Sequence, residues 1–382
     1  MNIEENRLLK PLTTFKVGGP ARFFVEISNP QELPEAFEFA ETRNLPVLIL
    51  GGGSNMLVSD RGFEGLVIHI NNRGITQISG TGYRVSEEGG MNSDIRLSVA
   101  SGEIWDDVVR YAAEEGFWGI ENLSRIPGQT GAVAVQNVGA YGQEIKDVLV
   151  NVEVFDRKTK SFRTLSNEQC HFTYRKSIFN TTEKQRYVIL STSLGLSTEP
   201  NRNLGYPDVK KWFERNPEPS LKEIRQAIKE IRDKKFPFPD ESIEGNAGSF
   251  FKNSVLTTEE YEQLENKFKW NLPEHLERLK VIRARSEGAE IKIPSAFIFE
   301  ACGLKGFRRG DVQLNPTQPV IVLNATGNAT ADEVLSLVRE VRSIVEEKTG
   351  LHLYTEPELI GFTAEELKGC GFNEEEVLRY IQ

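Results

Sequence analysis

The feature that most constrains the fold of this chain is an apolar run that ends in a glycine-rich loop. Val47-Leu48-Ile49-Leu50 is followed directly by Gly51-Gly52-Gly53-Ser54-Asn55. Consecutive residues without a Cβ expose backbone N–H groups and leave room for an anion such as a diphosphate. A tight strand-to-loop turn explains the same residues. The loop matches neither GxGxxG nor GK[ST], so neither a Rossmann fingerprint nor a Walker loop is indicated.

Alternating and helical apolar periods on both sides of this loop predict a small α/β lobe and then a mainly β segment. The predicted elements of the lobe are strands at 21–27, 46–50 and 66–70 and a helix at 31–44. Those of the second segment, 96–195, are strands at 97–100, 148–155 and 187–194 and a helix at 105–115.

A second loop, at 126–142, is rich in glycine, small residues and amides and is longer than a connector needs to be. Structured loops of this length usually bind something. Small residues let a flat aromatic ring approach the backbone, and Gln136 and Asn137 can hydrogen-bond a polar heterocycle. Together the two loops predict ligand binding in the first half of the chain.

The C-terminal half begins after a segment, 198–216, whose composition predicts a loop or linker. Capping boxes at Ser220/Glu223, Thr330/Glu333 and Thr363/Glu366 predict three helix starts, and Gly350 predicts the end of the second helix. Strands are predicted at 319–323 and 351–354, the latter delivering Glu358 at its end. The tail from 361 to 382 is interpreted as helices packed on the last domain, with a protein or oligomer contact as the alternative.

Charge and composition exclude several classes of function. The net charge is −10 with no long basic run, so nucleic-acid binding is not expected and an anionic ligand needs locally placed cations. No segment is apolar enough to span a membrane and the start lacks a targeting signal, so a cytoplasmic protein without membrane contact is expected. Cys170, Cys302 and Cys370 are predicted to be buried free thiols, and four unpatterned histidines predict no metal site.

Three widely separated side chains are the candidates for chemistry: Arg175, Ser249 and Glu358. By themselves, Arg175 is more typical of a surface ion pair and Ser249 of a structural cap. A nucleophilic role for Ser249 is disfavoured, because there is no GxSxG elbow and no nearby His-Asp pair.

Matched in order, a set of motifs resembles the UDP-N-acetylenolpyruvoylglucosamine reductase family from Leu12 to about Gly361. The motifs are Thr13-Thr14-Phe15-Lys16-Val17-Gly18-Gly19, Gly51 to Asn55, Ile126 to Gly142, Tyr174-Arg175, Gly245 to Asn253, Cys302-Gly303-Leu304-Lys305-Gly306 and Glu356-Pro357-Glu358. The segment Leu204-Gly205-Tyr206-Pro207-Asp208 resembles the tyrosine-bearing loop of the family's first subtype.

The resemblance implies an α+β fold: a vanillyl-alcohol oxidase/PCMH-type FAD-binding unit of two α+β lobes, with flavin between them, followed by an α+β substrate-binding domain. On this basis we expect lobes at 1–72 and 73–198, a substrate domain at 199–360 and a helical tail at 361–382. The implied cofactors are FAD and NADPH, and the implied partner is a small UDP-sugar. NADH is not excluded as the reductant, and a monomer is expected, with a tail contact as the alternative.

The resemblance also implies roles for individual residues. Arg175, Ser249 and Glu358 are the expected catalytic residues, with Ser249 donating a proton. Expected cofactor-binding residues are Gly51, Gly52, Gly53, Ser54, Asn55, Pro127, Gly128, Gly131, Gln136, Asn137, Gly139 and Tyr141. Expected substrate-binding residues are Tyr174, Tyr206, Lys235, Lys252, Asn253 and Gln318, although the lysines are also typical of a solvated helix end.

The sequence departs from the family pattern at three places. Ala132-Val133-Ala134 replaces a small-small-proline run, and Phe297 stands where glycine is usual. Leu359-Ile360-Gly361 follows Glu358 and is shorter than the expected valine-basic-apolar continuation, a departure that affects the geometry of Glu358 and leaves Glu356 as its nearest substitute. Two other functions stay open: an oxygen-using flavoprotein oxidase of the same fold, and a non-catalytic sugar-nucleotide binder.

Overall fold

The computed structural model describes residues 1–84, 92–235, 238, 243–286 and 290–381. The chain divides into two units. The first comprises Met1–Arg7, Ala21–Gly52 and Glu64–Lys234, and the second Leu8–Pro20, Gly53–Phe63 and Lys235–Gln382. Residues 199–234, expected to open the substrate domain, belong to the first unit, and the four-part division stays a prediction.

A four-stranded sheet in the first unit holds the predicted N-terminal lobe. Its strands are, in spatial order, Ile3–Leu8, Pro20–Ile27, Phe63–Ile70 and Val47–Leu50. The last two strands are parallel. The helix Leu33–Thr42 covers this sheet because its buried residues recur at helical spacing: Leu33, Ala36, Phe37 and Ala40. The glycine loop therefore leaves the end of a strand, as predicted, and this strand is parallel to its neighbour.

A five-stranded antiparallel sheet forms most of the remaining β structure described in this unit. Its strands are, in spatial order, Ser161–Ser166, Leu149–Asp156, Tyr187–Leu196, Asn92–Ala100 and Ile75–Arg84. The helix Trp105–Glu115 has the predicted bounds and ends at Gly116, whose φ of 82° is left-handed. The Trp105 indole N–H donates to the Leu123 carbonyl over 3.0 Å, which ties this helix to the start of the second loop.

Three α-helices follow among the described residues of the same unit, the first being the short Thr130–Val133. Leu221–Asp233 begins at the predicted capping box, and its apolar face shares a cluster with Ala113, Trp118 and Tyr141. Pro207–Trp212 lies where the sequence predicted a loop or linker, so that prediction was wrong over these residues. Proline at the first helical position and the fully buried Val209 explain the helix.

The second unit is built on short strands and longer helices around one apolar cluster. The strand pairs and sheet are Ser254–Leu256 with Ile291–Ile293, Met56–Val58 with Glu358–Ile360, and Arg308–Arg309 with Val312–Leu314 and Val322–Asn324. The helices are Thr258–Asn271, Leu276–Ala284, Ser295–Ala301, Ala331–Thr349, Ala364–Gly369 and Glu374–Ile381. The capping boxes predicted at Thr330 and Thr363 both form, and Gly350 ends the longest of these helices with φ 76°.

Two strand predictions in this unit need correction. Residues 351–354 form no strand: Leu351 and Leu353 are buried alternately, but the backbone joins no ladder. Glu358 instead opens its own strand, which runs parallel to Met56–Val58. The strand predicted at 319–323 is observed as Val322–Asn324.

The departure at Phe297 has a packing explanation. Its ring is buried, stacks on Phe268 at a centroid distance of 5.7 Å, and meets the edge of His275. The side chain fills apolar space that a glycine would leave empty.

The cysteines are free, with Cys170 and Cys302 buried and Cys370 half-buried. Burial raises the pKa of Cys170 to about 12 and that of Cys302 to about 11, so both stay protonated thiols at neutral pH. Within the described residues, no group of three or more His, Cys, Asp or Glu side chains has metal-binding geometry. No helix in the described ranges is long and apolar enough to cross a membrane.

Candidate functional site: two glycine loops and an acid-bearing strand

The two predicted glycine loops touch each other in the first unit. A Cβ built on Gly52 would lie 2.8 Å from the Gly128 Cα and 3.1 Å from the Gln129 backbone nitrogen. A Cβ on Gly51 would lie 3.3 Å from the Gln129 side-chain oxygen. Since backbone meets backbone here, only residues without a side chain allow the loops to approach so closely.

Gln129 is a residue of this site that sequence reasoning missed. The residue is 4% exposed, and its side-chain oxygen has no hydrogen-bond partner in the described part of the chain. A buried acceptor without a partner costs about 1–3 kcal/mol, so a donor from a bound molecule would remove that cost. Its position between two predicted cofactor-binding residues, Gly128 and Gly131, was the available signal.

The first loop continues into the second unit at Gly53, whose φ is 58°. A Cβ there would lie 2.1 Å from the Leu12 carbonyl oxygen, and the Gly53 carbonyl accepts a hydrogen bond from the Thr14 N–H over 3.1 Å. Ser54 and Asn55 are half-buried, and the Asn55 carbonyl accepts from the Glu358 N–H over 3.0 Å. Thus the loop and the predicted acid share one backbone hydrogen bond.

Asn137 holds the far end of the second loop together. Its amide nitrogen donates to the Glu144 carboxylate and the Thr173 carbonyl, both over 3.0 Å, and its oxygen accepts from the Lys146 N–H over 3.1 Å. These bonds occupy the buried side chain, so a cofactor contact from Asn137 would use its backbone. The predicted contacts of the half-buried Pro127 and Gln136 stay predictions.

Arg175 lies against this same loop. Its guanidinium donates to the Gly139 carbonyl over 2.7 Å and the Asn137 carbonyl over 3.3 Å, and it lies 5.3 Å from the centre of the Tyr174 ring. A Cβ on Gly139 would come within 3.1 Å of an Arg175 terminal nitrogen. The structure therefore brings four predicted site residues together in one cluster: Tyr174, Arg175, Asn137 and Gly139. Gly131 instead packs on Ser101, because a Cβ built on Gly131 would lie 2.7 Å from the Ser101 side chain.

Tyr206 of the predicted tyrosine loop meets Tyr141 edge to face, at a centroid distance of 5.1 Å. Tyr206 is 41% exposed, whereas Tyr141 is buried. The sequence did not single out the buried Asn122. Its amide nitrogen donates to the Tyr141 carbonyl over 2.8 Å and to the Asn203 carbonyl over 2.7 Å, so it links the second glycine loop to the residue before the tyrosine loop.

Ser249 lies on an extended segment of the second unit. The next residue, Phe250, donates its N–H to the Val320 carbonyl over 2.7 Å and accepts from the Glu356 N–H over 2.9 Å. Ser249 itself is exposed, and the structure records no hydrogen bond from its hydroxyl to another described residue. The residue that follows Ser249 is therefore fixed by two backbone hydrogen bonds, while Ser249 itself is exposed.

Glu358 is half-buried, and one carboxylate oxygen accepts from the Arg379 guanidinium over 3.4 Å. Because Phe250 bonds to Glu356, the segments that carry Ser249 and Glu358 are neighbours within the second unit.

The predicted sugar-nucleotide residues of the second unit form two further groups. The Lys235 carbonyl accepts from Asn315 and Thr317, and Gln318 donates its N–H to the Asn315 side chain over 2.9 Å, which brings Lys235 and Gln318 together. The Asn253 side-chain oxygen accepts from the N–H of Ser295, whose hydroxyl donates to the Lys252 carbonyl.

Comparison with known proteins decides the family. Residues 21–164 match the model of an FAD binding domain, and residues 239–360 match the C-terminal domain of UDP-N-acetylenolpyruvoylglucosamine reductase. A reductase of that name from Flavobacterium johnsoniae is 35% identical over 363 residues, covering 94% of this chain and all of the relative. The chain belongs to the UDP-N-acetylenolpyruvoylglucosamine reductase family. One from Neisseria gonorrhoeae is 36% identical over 352 residues, covering 91% of this chain and 95% of the relative.

A solved structure agrees with this assignment. The UDP-N-acetylenolpyruvylglucosamine reductase from Thermus caldophilus superposes with a TM-score of 0.63 at 25% identity, over 94% of this chain and 99% of that one. The α+β fold with a PCMH-type FAD-binding unit is thereby confirmed, and this chain, as a member of the reductase family, is an FAD-dependent oxidoreductase. The touching glycines and the unpartnered Gln129 oxygen fit that cofactor, since they offer N–H groups, space and an acceptor.

Proposed function

We propose that this chain reduces the enolpyruvyl ether of UDP-N-acetylglucosamine enolpyruvate to UDP-N-acetylmuramate, with NADPH as the reductant, in peptidoglycan precursor synthesis. The observation that carries the proposal is the similarity of the curated reductases, which cover 94% and 91% of this chain at 35% and 36% identity. The contact between Gly52 and Gly128 supports it, because it forms a backbone cradle suited to a diphosphate cofactor.

Two residues stabilise the charge that develops in the reaction. When bound, FAD supplies the hydride for the terminal vinyl carbon. The electron pair then moves onto the carbon that bears the carboxylate and spreads into that group as an enolate. Arg175 binds the carboxylate as a fixed cation, and Glu358, when protonated, hydrogen-bonds the growing charge. Preorganised donors of this kind contribute about 3–4 kcal/mol each.

Ser249 completes the reaction by donating its hydroxyl proton to the enolate carbon. The exposure of Ser249 and the two backbone hydrogen bonds of the next residue, Phe250, suit this role. The balance is one hydride and one proton added across the double bond, with two electrons taken from the nicotinamide.

Tyr206 and the cations near the diphosphate position the sugar nucleotide. In an acidic protein, Lys235 and Lys252 supply the local positive charge that UDP needs, with Asn253 and Gln318 as hydrogen-bonding partners. The exposed ring of Tyr206, supported by Tyr141, acts as a lid over the ligand.

The deciding experiment separates the reaction into two halves. Under anaerobic conditions NADPH should bleach the yellow protein, and the enolpyruvyl substrate should restore the colour with formation of UDP-N-acetylmuramate. The Ser249→Ala variant should bleach normally and regain colour about 10²–10⁴-fold more slowly, since a general acid contributes this much.

Two outcomes contradict the proposal. Reoxidation by oxygen alone, with no response to the enolpyruvyl compound, would favour the flavoprotein oxidase. A colourless protein that still binds UDP-sugars would favour the non-catalytic binder. Replacing NADPH by NADH in the first half measures the coenzyme preference.

A further inference from the structure

The C-terminal tail contacts the strand that carries the proposed catalytic acid. The matched C-terminal domain ends at residue 360, and the tail adds the helices Ala364–Gly369 and Glu374–Ile381. From the second helix, Arg379 reaches the Glu358 carboxylate with a nitrogen–oxygen distance of 3.4 Å. Both side chains are about one-third exposed, at 31% and 29%.

A buried ion pair anchors this helix one turn earlier. Glu376 and Arg342 are 5% and 4% exposed, and their charged atoms lie 2.6 Å apart. The other Glu376 oxygen lies 2.9 Å from the His352 ring nitrogen. An ion pair with so little solvent contact tolerates little change in geometry, because either charge left alone would be costly.

A second polar contact fixes the rotation of the same helix. The Tyr380 hydroxyl lies 2.7 Å from that of Thr355, three residues before Glu358. Glu376 and Arg379 are three residues apart and so share one helix face. With Glu376 and Tyr380 both held, the backbone of Arg379 is fixed within reach of Glu358.

We propose that Arg379 is a positioning residue for the reduction: by donating to one oxygen of the Glu358 carboxyl group, the tail helix holds that group in place in its protonated as well as its charged form. The proposal rests on the role proposed for Glu358. It also accounts for a departure in the sequence, since the segment after Glu358 is shorter than the resemblance implies and carries no basic residue, and the tail brings a cation from elsewhere in the chain.

The test compares Arg379→Gln, Arg379→Lys and Glu358→Gln with the double variant. Arg379→Gln should lower kcat about five- to tenfold with little change in the KM for NADPH, because small errors in placing a reacting group cost this much or more. Arg379→Lys should recover most of the loss. Placed on Glu358→Gln, the Arg379→Gln change should cause no further loss.

Lys368→Ala is the matched control, because Lys368 is a tail cation whose partner is the exposed Glu374. It should leave kcat unchanged. Unaltered kcat in Arg379→Gln, with Glu358→Gln impaired, would overturn the inference and leave the proposed function standing. The inference would also be overturned if Arg379→Gln lowered kcat equally in the parent chain and in Glu358→Gln. A fall in the melting temperature of Arg379→Gln that accounts for its lost activity would overturn it as well. Full activity in Glu358→Gln would instead refute the role of Glu358.

Discussion

At the scale of single residues, Gly52 shows how packing rather than backbone strain selects glycine. Its φ is not positive, but a Cβ would meet Gly128 and Gln129 backbone atoms at 2.8 and 3.1 Å. We expect Gly52→Val to spread the two loops and to weaken FAD binding at least tenfold. The measurement is the ratio of flavin to protein absorbance during titration of the deflavinated protein with FAD.

Gly369→Ala is the control for that experiment, because a Cβ there meets nothing within 4 Å and φ is not positive. It should bind FAD as the parent chain does. Unchanged FAD affinity in Gly52→Val would show that the contact between the loops is not part of the cofactor site.

The sequence predicted those residues whose signal is local. Ser220 with Glu223 and Thr330 with Glu333 form their capping boxes because both partners lie within one helical turn. Gln129 and Arg379 escaped prediction. The first is defined by a missing partner, and the second by a carboxylate that lies 21 residues away in the chain.

At the scale of elements, periodicity predicted the helix Trp105–Glu115 to the residue, because its apolar stripe and its glycine stop coincide. The same reasoning failed at 351–354. There Leu351 and Leu353 alternate inward as in a strand, yet their backbone finds no ladder partner. Alternation of apolar and polar residues predicts which face of an extended segment is buried, but it does not predict whether the backbone pairs with a neighbouring strand. The helix Pro207–Trp212 was missed because its surroundings are rich in loop-forming residues.

The docking of the helix Glu374–Ile381 should depend on pH through Glu376. Burial disfavours its charged form, but the hydrogen bond with His352 and the charge of Arg342 outweigh this and hold the pKa of Glu376 below its usual value. A depressed carboxyl pKa gives stability above about pH 4.3, which is lost as pH falls through the folded-state value. Amide-exchange protection of residues 374–381, corrected for intrinsic rates, should therefore fall below about pH 4.

Glu376→Gln should weaken that protection already at pH 7 and remove its pH dependence. The variant leaves the buried Arg342 without its counter-charge, which costs about 3–5 kcal/mol when such a pair is broken. The neighbouring Glu375 is exposed, so Glu375→Gln should behave as the parent chain. Equal protection in both variants would show that the ion pair does not hold the helix.

At the scale of the whole molecule, most of the assignment follows from the order of motifs along 382 residues rather than from any one of them. The glycine loop at 51–55 is equally typical of a simple turn. The contact between Gly52 and Gly128, 76 positions further along the chain, is what distinguishes this loop from a simple turn. No local pattern predicts such a contact.

The matched families also bear on how two nucleotide substrates are handled. One FAD binding domain is matched, at residues 21–164, and the sequence carries no further dinucleotide fingerprint. NADPH and the sugar nucleotide should therefore use the flavin site in turn, which predicts ping-pong kinetics with parallel lines in double-reciprocal plots. Under this scheme kcat/KM for each substrate depends on its own half-reaction. Ser249→Ala should then lower kcat/KM for the enolpyruvyl substrate and leave kcat/KM for NADPH unchanged. Intersecting lines in the double-reciprocal plots, or a loss of kcat/KM for both substrates in Ser249→Ala, would indicate that both substrates are bound at once.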